Sequence, residues 1–347
     1  MPTRGLRVAL SFLAAAFFLW LFFRNLDIGQ VAAHMKQARP VYLAAAVLFQ
    51  LMHLTLRCYR WRILLSPIKP GIGFYNLFST TSIGYLVTMV LPLRLGEVLR
   101  PMMLGQRERI TKSGALATCV LERLMDALSV AFLLGVYLVF LFDPPAAGTG
   151  ALDMKQLRQG GILLGLGALS MFPVLYLMVH YRQIIFERLE RRAGGGGSLL
   201  PRLLHSFLGG FDAVKGGWVF ALAWIQSIAI WLVITGSIWA SLKAFDIGLG
   251  YGDSLLMMAL LTIGIAVPTQ GGVGTYEYAG KLGLVDFFGV EPNRAAATIL
   301  VTHAFAIGPV ILIGILLLWK EGLSFRSWSR FTREAQDASA RAAGASQ

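Results

Sequence analysis

The chain is poor in charged residues and in cysteine. Only 14% of its 347 residues are charged, whereas soluble domains carry roughly a quarter. This shortage argues against an ordinary soluble globular protein. The two cysteines, Cys58 and Cys119, lie in or beside apolar segments, so they provide neither a disulfide framework nor zinc-ligand spacing. We interpret both as small packing residues.

The sequence also lacks the short motifs that hold metals, nucleotides or diphosphates. It contains no His-Glu-x-x-His, no Gly-x-Ser-x-Gly, no phosphate-binding loop, and neither Asp-x-Asp nor Asp-Asp-x-x-Asp. These absences argue against an enzyme that depends on a metal or a nucleotide. We therefore expect no catalytic residues, no cofactor and no metal site.

Long apolar runs are what the sequence has in abundance. Hydrophobic residues make up 56% of the chain, and about 20 consecutive apolar residues suffice for a helix to cross the hydrocarbon layer. The sequence therefore predicts an all-α polytopic membrane protein with six spanning helices, the first of which we interpret as an uncleaved signal anchor. The predicted spans are Val8–Phe23, Val41–Leu65, Ser113–Phe142, Gly160–Val179, Gly217–Leu242 and Ala295–Trp319.

The net charge of +13 is large, and binding to nucleic acid would be one explanation for it. In polytopic membrane proteins, however, lysine and arginine collect in cytoplasmic loops and contact anionic lipids there. We therefore expect anionic lipid at the cytoplasmic face as a partner, and no nucleic acid. A lipid-modifying enzyme and a second copy of the chain are further candidate partners.

Two further apolar regions, Phe74–Pro92 and Ser254–Pro268, are followed by glycine-containing breaks and amphipathic stretches. A full crossing by Phe74–Pro92 would place basic residues on both sides of the membrane, against the positive-inside rule. We therefore predict two re-entrant helical hairpins, the first entering from the cytoplasm and the second from outside. This threading puts most of the 31 lysines and arginines, and both termini, on the cytoplasmic side.

The two hairpins lie in similar units, 41–142 and 217–319, each of which reads span, hairpin, span. Because the units begin on opposite sides, we predict an inverted repeat, which is a transporter architecture; the alternative is a chance coincidence of two breaks. A shift of 176 positions (268 − 92) aligns the landmarks of the breaks, Pro92 with Pro268 and Gly96 with Gly272.

The remaining segments are polar. Residues 181–216 are basic and glycine-rich, and we expect a cytoplasmic linker between the two units. Residues 331–347 are rich in alanine, serine and charge, and we expect a disordered cytoplasmic tail. Residues 1–330 would then form a single membrane-embedded domain.

The first break carries Arg94, Gly96, Glu97 and Arg100. The helix that restarts here would point its positive N-terminus into the membrane, which favours an anionic group. Arginine adds a charged fork that matches phosphate or carboxylate. The alternative is a structural ion pair between Arg94 and Glu97 that locks the turn.

The second break is rich in glycine, which would bare backbone amides and form an anion-binding concavity. The alternative is a tight turn where helices approach closely. The candidate residues here are Gln270, Gly271, Gly272, Gly274, Tyr276 and Glu277.

Glu122, Arg123 and Asp126 lie early in a predicted span, and Glu122 and Asp126 share one helix face. Ionisable residues within a span are usually paired or functional. We expect Glu122 or Asp126 to partner Arg94 or Arg100; the alternative places them at the interface in water.

His303 and Thr302 lie in the last predicted span. A lone buried histidine more often makes a hydrogen bond between helices than it relays protons, and both interpretations stay open.

Four ordered segments resemble a known family. Arg94, Gly96 and Glu97 match its Pro-Gly-Arg-x-Gly-Glu pattern with Leu93 in place of glycine, and Gln270 replaces the second proline of Pro-x-Pro-Gly-Gly-x-Gly. The family is the lysylphosphatidylglycerol synthase membrane region, or flippase-like domain, and the resemblance extends roughly from Val8 to Lys320. The segments are Arg57–Leu65 (RCYRWRILL), Pro92–Pro101 (PLRLGEVLRP), Leu121–Asp126 (LERLMD) and Pro268–Glu277 (PTQGGVGTYE).

The resemblance implies a protein that moves or scrambles a lipid between the leaflets of a bacterial inner membrane. The lipid would be anionic, aminoacylated or polyprenyl-linked, held by the residues of the two breaks. Some relatives are fused to a soluble aminoacyl-transferase domain; we expect this chain to lack one and therefore not to synthesise lipid alone. The alternatives are a glycosyl- or aminoacyl-lipid transferase component and a scaffold for envelope-lipid synthesis.

Overall fold

The computed structural model describes residues 4–91, 94–142, 154–181, 184, 217–267 and 269–322. Within these ranges the regular secondary structure is helical and contains no strand. Pro92, Leu93 and Pro268, the tail and nearly all of the predicted linker lie outside the described residues.

Eleven α-helices cover the described ranges. The first six are α1 (Arg4–Phe23), α2 (Ile28–Lys36), α3 (Pro40–Leu65), α4 (Phe74–Val90), α5 (Leu95–Glu108) and α6 (Lys112–Val136). The others are α7 (Met154–His180), α8 (Gly217–Ala244), α9 (Tyr251–Ala266), α10 (Thr275–Leu282) and α11 (Pro292–Lys320). A π-helical turn extends α6 through Leu141 and another extends α10 through Phe287.

Four helices are long and apolar enough to cross a membrane: α3, α6 with its extension, α8 and α11. A fifth candidate is the pair formed by α1 and α2, whose axes bend by 85°. The predicted run Gly160–Val179 lies inside α7, which is not among the candidates found in the described residues. The protein is therefore a multi-pass membrane protein, and a count of six spans stays a prediction.

Polar caps fix the bend between α1 and α2. Asn25 adopts a left-handed conformation with φ of 66°, and Asp27 then caps α2 by accepting hydrogen bonds from the amides of Gly29 and Gln30. The amide of Asp27 donates to Asn293 Oδ1 at 2.9 Å, which ties the bend to the start of α11. The apolar run therefore ends at a defined turn.

Close glycine contacts pair α4 with α5. A Cβ at Gly96 would lie 1.9 Å from the carbonyl oxygen of Gly84 and 2.3 Å from Thr88 Oγ1, and a Cβ at Gly84 would lie 2.8 Å from Arg100 Cβ. The order of these contacts shows that the two helices run antiparallel. With 17 residues α4 is shorter than the ~20 that a span needs.

The helices α9 and α10 pair in the same way. A Cβ at Gly264 would lie 2.7 Å from the carbonyl oxygen of Thr275, and a Cβ at Gly283 would lie 2.8 Å from Leu260 Cδ1. The contacts again run antiparallel, and α9 has only 16 residues. Both predicted breaks therefore separate a short apolar helix from a helix that packs back against it.

Candidate functional site

Five charged residues form a buried network between α3, α5 and α6. Asp126 accepts hydrogen bonds from Arg57 Nη1 at 2.9 Å and from Arg60 Nη1 at 2.6 Å. Glu122 accepts one from Arg100 Nη1 at 2.8 Å, and its other oxygen lies 3.5 Å from Arg60 Nη2. No member of the network is more than 5% exposed. Arg60 therefore links the two carboxylates into one network.

Helical spacing explains why these side chains meet. Arg57 and Arg60 are three residues apart on α3, and Glu122 and Asp126 are four apart on α6, so each pair shares one face of its helix. Arg100 lies one turn after Gly96, where the close contact with α4 fixes the position of α5. The network is thus placed by three rigid helices.

Helix α8 completes the polar surroundings of the network. Arg60 Nη1 donates to Ser227 Oγ at 2.8 Å, and Trp231 Nε1 donates to Asp126 Oδ1 at 3.2 Å. Ser227 and Trp231 are four residues apart and face the same way. Burying a charge is costly unless it is paired and hydrogen-bonded, and these bonds reduce that cost.

The network carries more positive than negative charge. Three buried guanidinium groups face two carboxylates, and Arg123 adds a fourth guanidinium 3.6 Å from Asp126, with its side chain 40% exposed. Arg100 stacks 3.7 Å over the ring of Trp61. Its Nε and Nη2 atoms are buried without a hydrogen-bond partner among the described residues. These two buried donors therefore have unused hydrogen-bonding capacity.

A cavity of about 200 Å³ lies beside Arg100, between α4, α5 and α6. The hydroxyl of Tyr85, which also lines the cavity, is buried and without a hydrogen-bond partner in the described part of the chain. The walls combine apolar surface with a few polar groups, which is typical of ligand sites. The lining residues are Gly84, Tyr85, Thr88, Gly96, Glu97, Val98, Arg100, Leu116, Cys119, Val120 and Arg123.

The first break places Arg94 away from the buried network. Arg94 adopts a left-handed conformation with φ of 51°, and its Nη1 lies 3.7 Å from Glu97 Oε1. Its Nη2 donates to the carbonyl of Ile265 at 2.5 Å, at the end of α9. The predicted partner of Glu122 is therefore Arg100 and not Arg94, which bridges the two breaks.

The second break is a tight loop in which three backbone amides already donate hydrogen bonds within the protein. Gly272 and Val273 donate to carbonyl groups within the loop, and Gly274 donates to Glu277 Oε2 at 2.7 Å. One amide of the expected anion-binding concavity, that of Gly274, is thus bound by the protein's own carboxylate in this conformation. The unpartnered donors of Arg100 are better placed to bind an anion.

Glu277 and His303 form a second buried polar pair at this loop. Glu277 Oε1 lies 2.5 Å from His303 Nδ1, and His303 Nε2 lies 3.1 Å from the carbonyl oxygen of Gly271. The ring of Tyr276 stacks on the imidazole at 4.2 Å. The two amide atoms of Gln270 are buried without a partner in the described ranges. His303 therefore bonds between helices, as one interpretation of the sequence expected.

The two break loops touch each other. Beside the bond from Arg94 to Ile265, a Cβ at Gly271 would lie 3.4 Å from the carbonyl oxygen of Met89 near the end of α4. The two breaks are therefore in direct contact. Among the described residues no group of three or more histidine, cysteine, aspartate or glutamate side chains could hold a metal ion.

Sequence reasoning did not assign Arg57 and Arg60 to the site, because both were counted as cytoplasmic positive charge. Ser227 and Trp231 were also missed, since each lies within a predicted apolar span. The available signal was spacing: two arginines three residues apart on one helix, opposite two acids four apart on another.

Comparisons with known proteins identify the family to which the chain belongs. Residues 7–314 match the family model described as "Lysylphosphatidylglycerol synthase TM region". The "Glycosyltransferase AglD" of Haloferax volcanii is 25% identical over 90% of this chain, and the chain spans about half of that protein's length (54%). The "UPF0104 membrane protein" of Methanothermobacter thermautotrophicus is 24% identical, with 83% of this chain and 87% of that protein covered. Since the family model spans nearly every described helix, the chain belongs to the lysylphosphatidylglycerol synthase TM region family.

Proposed function

We propose that this protein moves an anionic lipid between the leaflets of a bacterial inner membrane. The observation that carries the proposal is the excess buried positive charge, with two unpartnered Arg100 donors beside a cavity. The paired helices α4/α5 and α9/α10 would be re-entrant hairpins of an inverted repeat, with both termini cytoplasmic. The headgroup would cross between them while the acyl chains stay in the bilayer.

The chemistry of the cavity suits a phosphate group. Arg100 would present the free edge of its guanidinium, whose geometry matches a phosphate, and the Tyr85 hydroxyl would donate a further hydrogen bond. Arg123 and Glu97 lie at the same cavity, so a headgroup carrying both a phosphate and an amine has partners of each sign. An unpaired polar group in hydrocarbon costs several kcal/mol, and such partners lower that barrier.

The proposal is tested with purified protein in liposomes of phosphatidylethanolamine and phosphatidylglycerol. A fluorescent phosphatidylglycerol is quenched from outside by a membrane-impermeant reductant, which reports movement from the inner leaflet. We expect wild-type protein to speed this movement and Arg100→Gln to slow it by at least tenfold. The matched control is Arg39→Gln, because Arg39 pairs with Asp246 on an exposed surface, and it should behave as wild type.

Because Arg100→Gln also leaves Glu122 without its partner, a milder variant is needed. Tyr85→Phe removes one unpartnered hydroxyl, so we expect slower lipid movement with unchanged thermal stability. Lack of any acceleration by wild-type protein, with phosphatidylglycerol, aminoacylated phosphatidylglycerol or a polyprenyl phosphate as the probe, would refute the proposal.

A second candidate function, a glycosyl-lipid transferase component, is favoured by the name of the relative from Haloferax volcanii. That relative is nearly twice as long as the matched region, so its activity need not reside in the shared part. Incubation with a sugar donor and a polyprenyl phosphate, followed by mass spectrometry, separates the two functions. A lipid product of increased mass supports the transferase, and lipid movement without a change in mass supports the translocase.

A further inference from the structure

We infer that Glu277, His303 and the carbonyl of Gly271 form a proton-binding site that locks the second break loop, Gln270–Gly274. The ligand of this site is a single proton, and its loss would release the loop. That the lock is coupled to lipid movement rests on the proposed function, whereas the site itself stands on the geometry of the three groups.

The hydrogen bonds of His303 require one more proton than a neutral imidazole and a carboxylate possess. A carbonyl can only accept, so the 3.1 Å contact to Gly271 places a hydrogen on Nε2. The Nδ1 atom lies 2.5 Å from Glu277 Oε1, and a bare lone pair facing a carboxylate at that distance would be repelled. A further proton must lie between them, on the imidazole or on the carboxyl group.

Because Glu277 and His303 are buried, a net charge on the pair would be energetically costly. His303 is 4% exposed and Glu277 is 5% exposed. With the proton, the pair is neutral overall, either as imidazolium and carboxylate or as imidazole and carboxylic acid. Without it, a net negative charge would remain in a poorly solvated site, which is unfavourable. The folded loop therefore stabilises the protonated pair.

The same pair fastens both ends of the loop. His303 holds the carbonyl of Gly271, and Glu277 Oε2 accepts the amide of Gly274. Between them the backbone is left-handed at Gly271, Gly272 and Gly274, with φ of 59°, 78° and 86°. Loss of the proton leaves one N–H on the imidazole, which can bind either Glu277 or the carbonyl of Gly271 but no longer both. The loop can then leave this conformation.

Other charged and titratable groups around the loop have partners of their own. Arg94 reaches it through the carbonyl of Ile265, and Lys281 on α10 donates to the carbonyl of Phe22. On α3, His53 accepts a hydrogen bond from Arg57. The part of α1 that faces Gly274, from Ala15 to Leu19, carries no titratable side chain.

Tyr276 is a further titratable residue in contact with the imidazole, since the two rings stack with their centroids 4.2 Å apart. Its phenol ionises only near pH ~10 in water, so it stays neutral where histidine and glutamate exchange protons. The proton that controls the loop is therefore shared between Glu277 and His303.

Proton binding would give the proposed translocase a source of energy. When one proton enters from the side where protons are abundant, the loop locks; when it leaves on the other side, the loop is released. Because Gly271 packs near Met89 and Ile265 binds Arg94, the change reaches the first break. One proton is taken up and one is released in each cycle.

Hydrogen exchange measured by mass spectrometry tests the site without any lipid assay. In wild-type protein in liposomes, we expect the protection of the Gly271–Gly274 amides to fall at least tenfold between about pH 5 and about pH 10, after correction for chemical exchange. A tenfold change corresponds to about 1.4 kcal/mol. His303→Gln removes the imidazole that shares the proton with Glu277, so its protection should depend on pH much less than that of the wild type.

The matched control is His34→Gln, because His34 is a partly exposed histidine beside Glu291 and far along the chain from the loop. It should show the wild-type profile. Protection in wild-type protein that does not change with pH would overturn the inference, and this measurement needs no variant to fold. If loop protection depends on pH but lipid movement does not respond to a pH gradient, the proton site stands and its coupling to lipid movement is refuted.

Discussion

Replacing Asp126 with asparagine tests whether the buried charge network holds the helices together. Asp126 accepts hydrogen bonds from Arg57 and Arg60 at 2.9 and 2.6 Å, and from Trp231 at 3.2 Å. Asparagine has nearly the same shape but carries no charge and turns one acceptor into a donor. Two guanidinium groups that are at most 5% exposed would then lose their shared counterion.

The expected cost follows from the burial of these groups. Removing one partner of a buried ion pair destabilises a protein by about 3–5 kcal/mol, because the other charge is left uncompensated. At about 1.4 kcal/mol per tenfold change, the unfolding equilibrium would shift by a factor of roughly a hundred to several thousand. The matched control is Asp246→Asn, whose pair with Arg39 is 2.7 Å long but more than half exposed. That substitution should cost about 0–1 kcal/mol.

Reversible unfolding in mixed micelles, followed by tryptophan fluorescence, provides the assay. Equal costs for Asp126→Asn and Asp246→Asn would refute the argument, since they would mean that the network is hydrated. A double variant adds a further check. Arg60→Met combined with Asp126→Asn should cost less than the sum of the two single variants, because the substitutions act on one interaction.

Two other predictions concern helix packing and acid stability. Gly96→Ala should lower the free energy of unfolding by about 1–3 kcal/mol or more, because its Cβ would lie 1.9 Å from a carbonyl oxygen of α4. The control is Gly308→Ala, whose Cβ meets nothing within 4 Å, and it should be neutral or stabilising in the same unfolding assay. Hydrogen bonds from Lys69 and Asn76 lower the pKa of Glu108 below its usual value, so their stabilisation is present at neutral pH and lost as the pH falls through that lowered pKa. In thermal unfolding at several pH values, the wild type should lose about 0–1 kcal/mol of unfolding free energy on acidification, and Glu108→Gln should not. The expected loss is small because Lys69 is 41% exposed.

Long apolar runs and proline–glycine breaks were enough to predict four spanning helices and the two paired short helices, but not α2. The long runs became α3, α6, α8 and α11, because about 20 apolar residues can satisfy their backbone groups in lipid only as a helix. The short helices α4 and α9 end at the predicted breaks, and their partners pack back against them. Local chain chemistry decides such boundaries, so sequence alone could locate them.

The contents of the site depended on which helix faces meet, which local patterns do not encode. Arg57 and Arg60 look like cytoplasmic charge in the sequence, yet α3 carries them beside α6, where they bind Asp126. The glycines of the second break suggested free amides, but the amides of Gly272 and Gly274 donate to a backbone carbonyl group and to Glu277. The partner of Arg57 and Arg60 lies more than 60 residues away in the chain, and the partner of the Gly274 amide lies on the next helical turn.

In the proposed mechanism, the first break would bind the lipid and the second would control its release. Arginine stays protonated at any physiological pH, so the positive charge around Arg100 is permanent and its attraction for a phosphate does not depend on proton supply. Histidine and glutamate exchange protons readily, and Glu277 and His303 hold the loop that touches the first break. A permanent charge suits the capture of an anion, whereas a titratable pair suits its release. If the two breaks work together, substitutions at Arg100 should change how tightly lipid is held, and substitutions at His303 should change how movement responds to pH.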